Sequence, residues 1–187
     1  FSVLFLNKFF KENNMELFKV AHFDVQGGAL RVFVQKNNGG HNKDSSVEKF
    51  LEVEKEFGLD NFSAYKKFAE SINKRKNDTR ELIINLKTKG KRIIGYGAPA
   101  KATTLLNFYG IDNNYIDYIV EDNPLKQGRI VPGVKIPIKS KEFMNINTPD
   151  YIYVFAWNYI DEILKNNSDY RDQGVKFIVP SPELHIV

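Results

Sequence analysis

The first fourteen residues predict a helix that is apolar around most of its circumference. Ser2 can cap its start, and Asn13 with Asn14 can end it. The apolar side chains occupy positions 1, 3, 4, 5, 6, 9 and 10. Such a helix needs another surface to bury against. Residues 15–25 then alternate between polar and apolar side chains, and residues 29–34 are strongly β-prone, so this pattern predicts an antiparallel pair of strands.

A linker-like stretch separates this predicted hairpin from two predicted helices. Residues 37–46 are rich in Asn, Gly and Ser. Apolar side chains at mostly helical spacing follow in residues 47–57, and Gly58 closes that helix. A second helix begins near Asp60 and ends at Gly90. We expect it to be a long, amphipathic connecting helix.

From residue 91 the pattern changes to short apolar strands that alternate with helices. The predicted strands are 92–95, 115–121, 151–155 and 176–179. The predicted helices are 100–109, 140–145 and 159–173. This alternation predicts an α/β fold: a Rossmann-like parallel sheet with helices on both faces and right-handed crossovers. The connecting helices precede it, and an N-terminal helix with an antiparallel β-hairpin opens the chain.

Composition narrows the class of protein. The 187 residues are 42% hydrophobic and 27% charged, with a net charge of +4 and no cysteine. These values are typical of a globular protein, and they exclude disulfides and thiolate metal sites within this chain. No apolar run reaches the length of a membrane span, and the densest basic cluster, residues 74–76, sits among acidic residues. We therefore expect a cytoplasmic protein with no metal site, no nucleic-acid partner and no membrane partner. Because the chain starts at Phe1, we also expect a processed or truncated form.

The stretch GYGAPAK joins the first predicted parallel strand to its helix through a glycine turn. Gly95 and Gly97 allow positive φ and close backbone approach, Pro99 suits a first helical position, and Ala100 lets the helix lie near the strand. In this geometry the unpaired amides and the positive end of a helix face an anion, to which Lys101 adds a charge. The spacing G-x-G-x-x-A is a permitted variant of the dinucleotide fingerprint. The alternative is a turn with a merely structural role.

Two further polar stretches follow strands of the same predicted sheet. Glu121 and Asp122 close the second strand, where a ribose-binding acid is often found, and Lys126 follows them. Trp157 and Asn158 come directly after the third strand, where an indole can pack on a ring and an amide can bond to it. The alternative for this pair is a core tryptophan and a helix-capping asparagine.

Several motifs in one order and spacing carry a family resemblance. They are GYGAPAK, TTLLNFYGI, EDNPLKQGRIVPGVKIPI, PDYIYVFAWNY and GVKFIVPSPE, preceded by FSVLFLNKFF and HFDVQGGALRVFV. Together they resemble the C-terminal domain of the SAM-dependent C-methyltransferases that act on nucleotide-linked deoxy keto-sugars. The resemblance covers the whole chain.

The resemblance implies that successive segments of the chain belong to different modules of the family. Members of that family have an N-terminal zinc-binding module with cysteines, a central SAM-binding domain and a C-terminal α/β domain. With no cysteine and no acidic glycine-rich SAM loop here, residues 1–36 are expected to be the C-terminal remnant of the SAM domain. Residues 37–90 would be the linker and connecting helices, and residues 91–187 the Rossmann-like C-terminal domain. The missing domains, or another chain, would cover the N-terminal helix.

The resemblance also raises a question about the catalytic base. C-methylation beside a ketone needs a base, a stabilised enolate and in-line attack on the methyl group. The family carries a His before the Gly-Gly pair, whereas this chain has Gln26, and a neutral amide cannot be a general base near pH 7. His22 is a possible substitute, because in a continuous strand it would share a face with Gln26. A structural role for His22 is the alternative.

The leading hypothesis is a part of a nucleotide-sugar C-methyltransferase that holds the substrate and is not active alone. SAM would be used by the full-length enzyme, and no cofactor would bind to this chain alone. Candidate substrate contacts are Arg31, Gly95, Tyr96, Gly97, Lys101, Glu121, Asp122, Lys126, Trp157 and Asn158. An NAD(P)-binding Rossmann domain of an oxidoreductase and a non-enzymatic binding module are the alternatives.

Overall fold

A computed structural model describes residues 1–25 and 27–187 of the chain. The chain divides into two compact units, Phe1–Ser71 and Ile72–Val187. The boundaries predicted after residues 36 and 90 divide the chain by functional module and not by compact unit, and they stay predictions.

The first unit contains a helix, a hairpin and a second helix. Its elements are α1 (Val3–Glu12), β1 (Met15–Phe23), β2 (Ala29–Lys36) and α2 (Ser45–Glu56). As predicted, Ser2 caps α1: its hydroxyl accepts the N–H of Phe5 at 3.1 Å. The strands pair antiparallel, also as predicted. The buried core of this unit consists of Val3 of α1, Leu17 and Val20 of β1, and Val47 and Leu51 of α2, and Val32 and Val34 of β2 pack against it.

A buried carboxylate ties α2 to the start of α1. The two oxygens of Glu54 accept the N–H groups of Val3 and Leu4, each at 2.7 Å, and Glu54 is only 8% exposed. The first amides of a helix have no intrahelical partner, and an anion near them is favoured by the helix dipole. Glu54 therefore stabilises α1 in addition to the Ser2 cap.

The opposite side of α1 carries an exposed row of aromatic rings. Phe1, Phe5 and Phe9 follow one another at intervals of one helical turn, and their ring centroids are 5.7 and 6.0 Å apart. Phe1 is 98% exposed within the described chain. Three stacked and exposed phenylalanines form an apolar surface of the kind that usually meets a partner.

The long connecting helix α3 (Phe62–Thr88) is present as predicted and contains the boundary between the two units. The described residues of the second unit form a six-stranded sheet in the order β5-β4-β3-β6-β7-β8. The strands are β3 (Ile93–Tyr96), β4 (Ile119–Val120), β5 (Ile138–Lys139), β6 (Tyr151–Val154), β7 (Lys176–Val179) and β8 (His185–Ile186). The helices of this unit after α3 are α4 (Ala100–Tyr109), α5 (Glu142–Ile146), α6 (Ile160–Asn166) and α7 (Ser168–Asp172). Strands β3 to β7 pair parallel and β8 is antiparallel, so the predicted α/β class with a parallel sheet is confirmed.

Both faces of this sheet are buried, as the continuous apolar strands predicted. On one face Ile93 and Tyr153 pack with residues of α3 and α4. On the other face Ile94, Val154 and Phe177 pack with residues of α6 and α7. The carboxyl ends of β3, β4 and β6 therefore open at one edge of a rigid, two-sided core.

Two secondary-structure predictions in this unit were wrong in extent, and two short strands were not predicted. The strand predicted over 115–121 pairs only at Ile119–Val120, because the amides of Tyr115 and Ile116 bond back to the Asp112 carbonyl in a turn. The short strands β5 and β8 were not predicted, since two residues carry no readable period. The helix predicted over 159–173 is a 3-10 turn followed by α6 and α7, which break at Asn167. The side-chain amide of Asn167 donates to the Ile163 carbonyl at 2.7 Å.

Among the described helices, none combines the length and the apolar character that a membrane span requires. The cytoplasmic location stays a prediction.

Candidate ligand site at the carboxyl end of the parallel sheet

A cavity of about 300 Å³ lies in the second unit where the parallel strands end. Its walls come from the end of β3 and the turn after it (residues 96–99), from the segment after β4 and from the region after β6. This edge is where open α/β sheets bind ligands, because adjacent strands diverge into helices on opposite faces there. Of the candidate residues predicted from the sequence, Tyr96, Gly97, Glu121, Asp122 and Lys126 line this cavity.

The turn after β3 uses one of its two glycines for conformation and the other for packing. Gly97 has φ +79, a left-handed conformation that suits glycine. Gly95 lies inside β3, and a Cβ there would fall 2.5 Å from Phe155 and 2.8 Å from Ile119. The prediction that both glycines shape the turn was therefore wrong for Gly95. Pro99 also precedes α4 as its cap residue instead of opening the helix.

Glu121 holds the turn through a set of hydrogen bonds that the sequence did not reveal. One carboxylate oxygen accepts the Ala98 N–H at 2.8 Å, and the other accepts the Asn123 N–H at 3.0 Å. The ammonium of Lys126 lies 3.2 Å from Glu121 and also donates to the Ala98 carbonyl at 3.0 Å. Burial alone would raise the pKa of Glu121, but the Asn123 and Ala98 amides and Lys126 outweigh it, so the pKa is lowered. The charged Glu121 side chain thus links the turn after β3 to the loop after β4.

Tyr96 and Asp122 form a second polar pair on the cavity wall. The Tyr96 hydroxyl donates to the Asp122 carboxylate at 3.1 Å, and Tyr96 is buried. Burial raises the pKa of Tyr96; the Asn167 amide opposes this rise, and the Asp122 charge adds to it. The hydroxyl therefore stays protonated near neutral pH. Asp122 itself is exposed, so its carboxylate can accept further hydrogen bonds.

Lys101, Trp157 and Asn158 come together beside the cavity. The Lys101 ammonium lies 3.9 Å from the centroid of the Trp157 ring and donates to the Asn158 side-chain oxygen at 2.6 Å. Partial burial lowers the pKa of Lys101. Trp157 is half-buried rather than in the core, and Asn158 precedes the Tyr159 cap position of α6 instead of capping a helix. The alternative of a core tryptophan with a capping asparagine is therefore wrong.

Comparison with known proteins places the chain in a family. A family model for the C-methyltransferase C-terminal domain matches residues 24–182. The chain belongs to this family. C-methyltransferase NovU of Streptomyces niveus is 34% identical to this domain over 187 residues, which are 100% of the chain. The chain spans 44% of the length of that relative.

The hairpin residues belong to the first unit of the domain, whereas the cavity belongs to the second. His22 Nδ1 lies 3.5 Å from Asp24, and both side chains are exposed. The Arg31 guanidinium lies 4.6 Å from the centroid of the Phe23 ring. Gln26 lies outside the described residues. The shared strand face inferred for His22 and Gln26 therefore stays a prediction.

Three polar residues of the cavity lining escaped the sequence reasoning. They are Tyr159, Glu162 and Asn166. The available signal was their position: they follow the strand that ends just before Trp157, at the same edge of the sheet. Within the described part of the domain, no group of His, Cys, Asp or Glu side chains is arranged to hold a metal ion.

Proposed function

We propose that this domain holds a nucleotide-linked keto-deoxysugar for a SAM-dependent C-methyltransferase and is not active alone. The observation that carries the proposal is the cavity at the sheet edge, with hydroxyl acceptors on its wall and a cation beside it, in a chain of the C-methyltransferase C-terminal domain family. A sugar nucleotide offers hydroxyl groups, a ring and a diphosphate, which these groups can recognise separately.

The proposed contacts follow the chemistry of each group. Lys101 and the Gly97 turn would face the diphosphate, because an ammonium and a glycine turn at a helix start both favour anions. Asp122 would accept hydrogen bonds from hydroxyl groups of the nucleotide or sugar, and Glu121 and Lys126 line the same cavity. Trp157 and Asn158 would lie near a ring.

A further group of proposed contacts completes the candidate set. Tyr96 would orient Asp122 through its hydroxyl. Gly95 would act only by letting β3 pack closely, because it lies inside the strand. Arg31 of the hairpin stays a proposed substrate contact in the longer protein.

The cofactor belongs, in this proposal, to the part of the longer protein that this chain does not match. SAM supplies an electrophilic methyl group when bound. The described residues do not fit it: the sheet of the first unit has two antiparallel strands, and the Ala98 amide of the glycine turn is held by Glu121. We propose that His22, or a base from the missing part, removes the substrate proton, since Gln26 cannot.

We also propose a partner surface for the longer protein. The row formed by Phe1, Phe5 and Phe9 is exposed and stacked. The relative NovU is more than twice as long as this chain, and we propose that residues of such proteins outside the matched part cover the row.

Binding titrations test the substrate proposal directly. Trp157 is the single tryptophan, so its fluorescence reports ligand binding beside Lys101. We expect a nucleoside diphosphate sugar to quench it, Lys101→Ala to weaken that binding about tenfold or more, and Lys89→Ala, an exposed control outside the site, to leave it unchanged. Calorimetry with NADH should give no heat of specific binding.

The same titrations separate the competing functions. Binding of NADH without the sugar nucleotide would favour an oxidoreductase domain, and binding of neither would favour a non-enzymatic module. Incubation with labelled SAM and a keto-sugar nucleotide should transfer no methyl group to the sugar. Transfer by this chain alone would overturn the proposal that it needs the rest of the protein.

A further inference from the structure

The cavity carries an unexpected excess of negative charge. Among the described residues that line it, Glu121, Asp122 and Glu162 are acidic and Lys126 is basic. Lys126 is already paired with Glu121 at 3.2 Å. A phosphate placed inside this cavity would face carboxylates at short range, which is unfavourable in a partly buried site.

The amide that would attract a phosphate to the glycine turn is already occupied. A backbone N–H makes one strong hydrogen bond, and the Ala98 N–H donates to Glu121 at 2.8 Å. The Glu121 side chain is only 13% exposed, and the Asn123 amide holds its second oxygen at 3.0 Å. A phosphate can reach the Ala98 amide only by displacing a fixed, buried carboxylate.

We propose that Glu121 is a specificity-determining residue that closes the glycine turn to phosphate. The cavity then takes the uncharged, hydroxyl-bearing part of the ligand, and the diphosphate lies outside it, against Lys101. The inference rests on the proposed function. It reassigns Glu121 and Lys126 from ligand contacts to positioning residues, and it leaves Lys101, without the Gly97 turn, as the proposed diphosphate contact.

The side chains in and beside the cavity can bind the uncharged part of the ligand and its diphosphate separately. A carboxylate has about four acceptor positions, and the Tyr96 hydroxyl uses one of those of Asp122, so Asp122 can accept ligand hydroxyls. Lys101 follows the cavity wall directly, two residues after Pro99, and Trp157 follows Ala156 of the same wall. A ligand with hydroxyls in the cavity can therefore place its phosphates beside Lys101 without entering the acidic space.

The experiment compares two acidic residues of one cavity in the 187-residue chain. Calorimetry measures the affinity of inorganic pyrophosphate for the unaltered chain, for Glu121→Ala and for Glu162→Ala. Both variants remove one negative charge, but only Glu121→Ala frees the Ala98 amide and Lys126. We expect Glu121→Ala to bind pyrophosphate about tenfold more tightly than Glu162→Ala does, the effect of one charge-assisted hydrogen bond. Equal affinities in two folded variants would overturn the proposal.

A second variant, Glu121→Gln, controls for disruption of the turn after β3 in Glu121→Ala. Glu121→Gln removes the charge but keeps an oxygen that can accept the Ala98 N–H, so its pyrophosphate affinity should match that of Glu162→Ala. If Glu121→Gln gains as much as Glu121→Ala, charge alone is responsible and the role of the amide is refuted. Circular dichroism and the Trp157 emission check that each variant is folded.

Two nucleoside probes test where the uncharged part binds. Uridine and thymidine should compete with the sugar nucleotide in the unaltered chain, and Lys101→Ala should weaken uridine diphosphate without weakening uridine. Equal weakening of both would show that Lys101 does not contact the diphosphate and would overturn the proposal. Failure of any sugar nucleotide to bind the unaltered chain would refute the proposed function, whereas the pyrophosphate comparison would still test Glu121.

Discussion

Gly95→Ala tests whether this glycine serves packing or ligand binding. The added Cβ would lie 2.5 Å from Phe155 Cε2 and 2.8 Å from Ile119 Cγ1, about 1 Å inside normal carbon contact distances. Phe155 and Ile119 are both 0% exposed, so neither can move into solvent. The φ of Gly95 is not in the left-handed region, so the cost is steric. Overpacking of this kind costs about 1–3 kcal/mol.

Urea unfolding followed by Trp157 emission measures this cost in the second unit, where the tryptophan lies. Gly40→Ala is the control for the substitution itself, since no atom lies within 4 Å of its added Cβ and its φ is not left-handed. It should leave the Trp157 transition unchanged. Phe155→Leu makes room beside residue 95, so the double variant should lose less stability than the sum of the two single changes.

The outcome separates two roles for Gly95. A loss below about 0.5 kcal/mol, the range of neutral surface changes, would refute the packing argument. So would strict additivity with Phe155→Leu. If packing is the role, folded Gly95→Ala protein should bind a sugar nucleotide with unchanged affinity.

Three other predictions follow from the same contacts. Glu54→Ala should lower the free energy of unfolding of the first unit by about 1.5–3 kcal/mol, because two amides of α1 lose a charged acceptor. Thermal unfolding followed by circular dichroism measures this loss, with Glu52→Ala at an exposed position as the control. Equal melting temperatures of the two variants would contradict the prediction. The pKa of Glu121 is lowered in the folded state, so its stabilisation is present above the ordinary value of 4.5 and is lost as the pH falls through the lowered value. Glu121→Gln should therefore flatten the acid dependence of unfolding below pH 4.5, and a parallel curve would argue against this link between the turn and the loop. The pKa of Tyr96 is raised in the folded state, so its contribution to stability is complete below pH 10 and declines as the pH rises through the raised value. In a titration of tyrosinate absorbance near 295 nm, Tyr96→Phe should lose a step at high pH. An unchanged titration would contradict burial of this hydroxyl.

Local patterns were enough to predict most elements of this domain. The Ser2 cap, the apolar helix after it and the alternation in the hairpin depend on neighbouring residues, and all are present in the structure. The change from residue 91 to apolar strands between helices was enough to predict a parallel sheet buried on both faces. Because parallel strands end together at one edge, the sequence also predicted where the polar residues would meet.

The roles of individual side chains depended on neighbours that are distant in the chain. Glu121 is 23 residues from the Ala98 amide that it binds, and Lys101 is 57 residues from Asn158. Gly95 is a packing residue only because Phe155, directly after β6, and Ile119 of β4 lie against it. A sequence states which donors, acceptors and rings are available, but a hydrogen bond or a van der Waals contact is set by distances of a few ångströms. In this domain only the folding of the sheet created those distances, and they decided which groups are committed to the protein and which remain for a ligand.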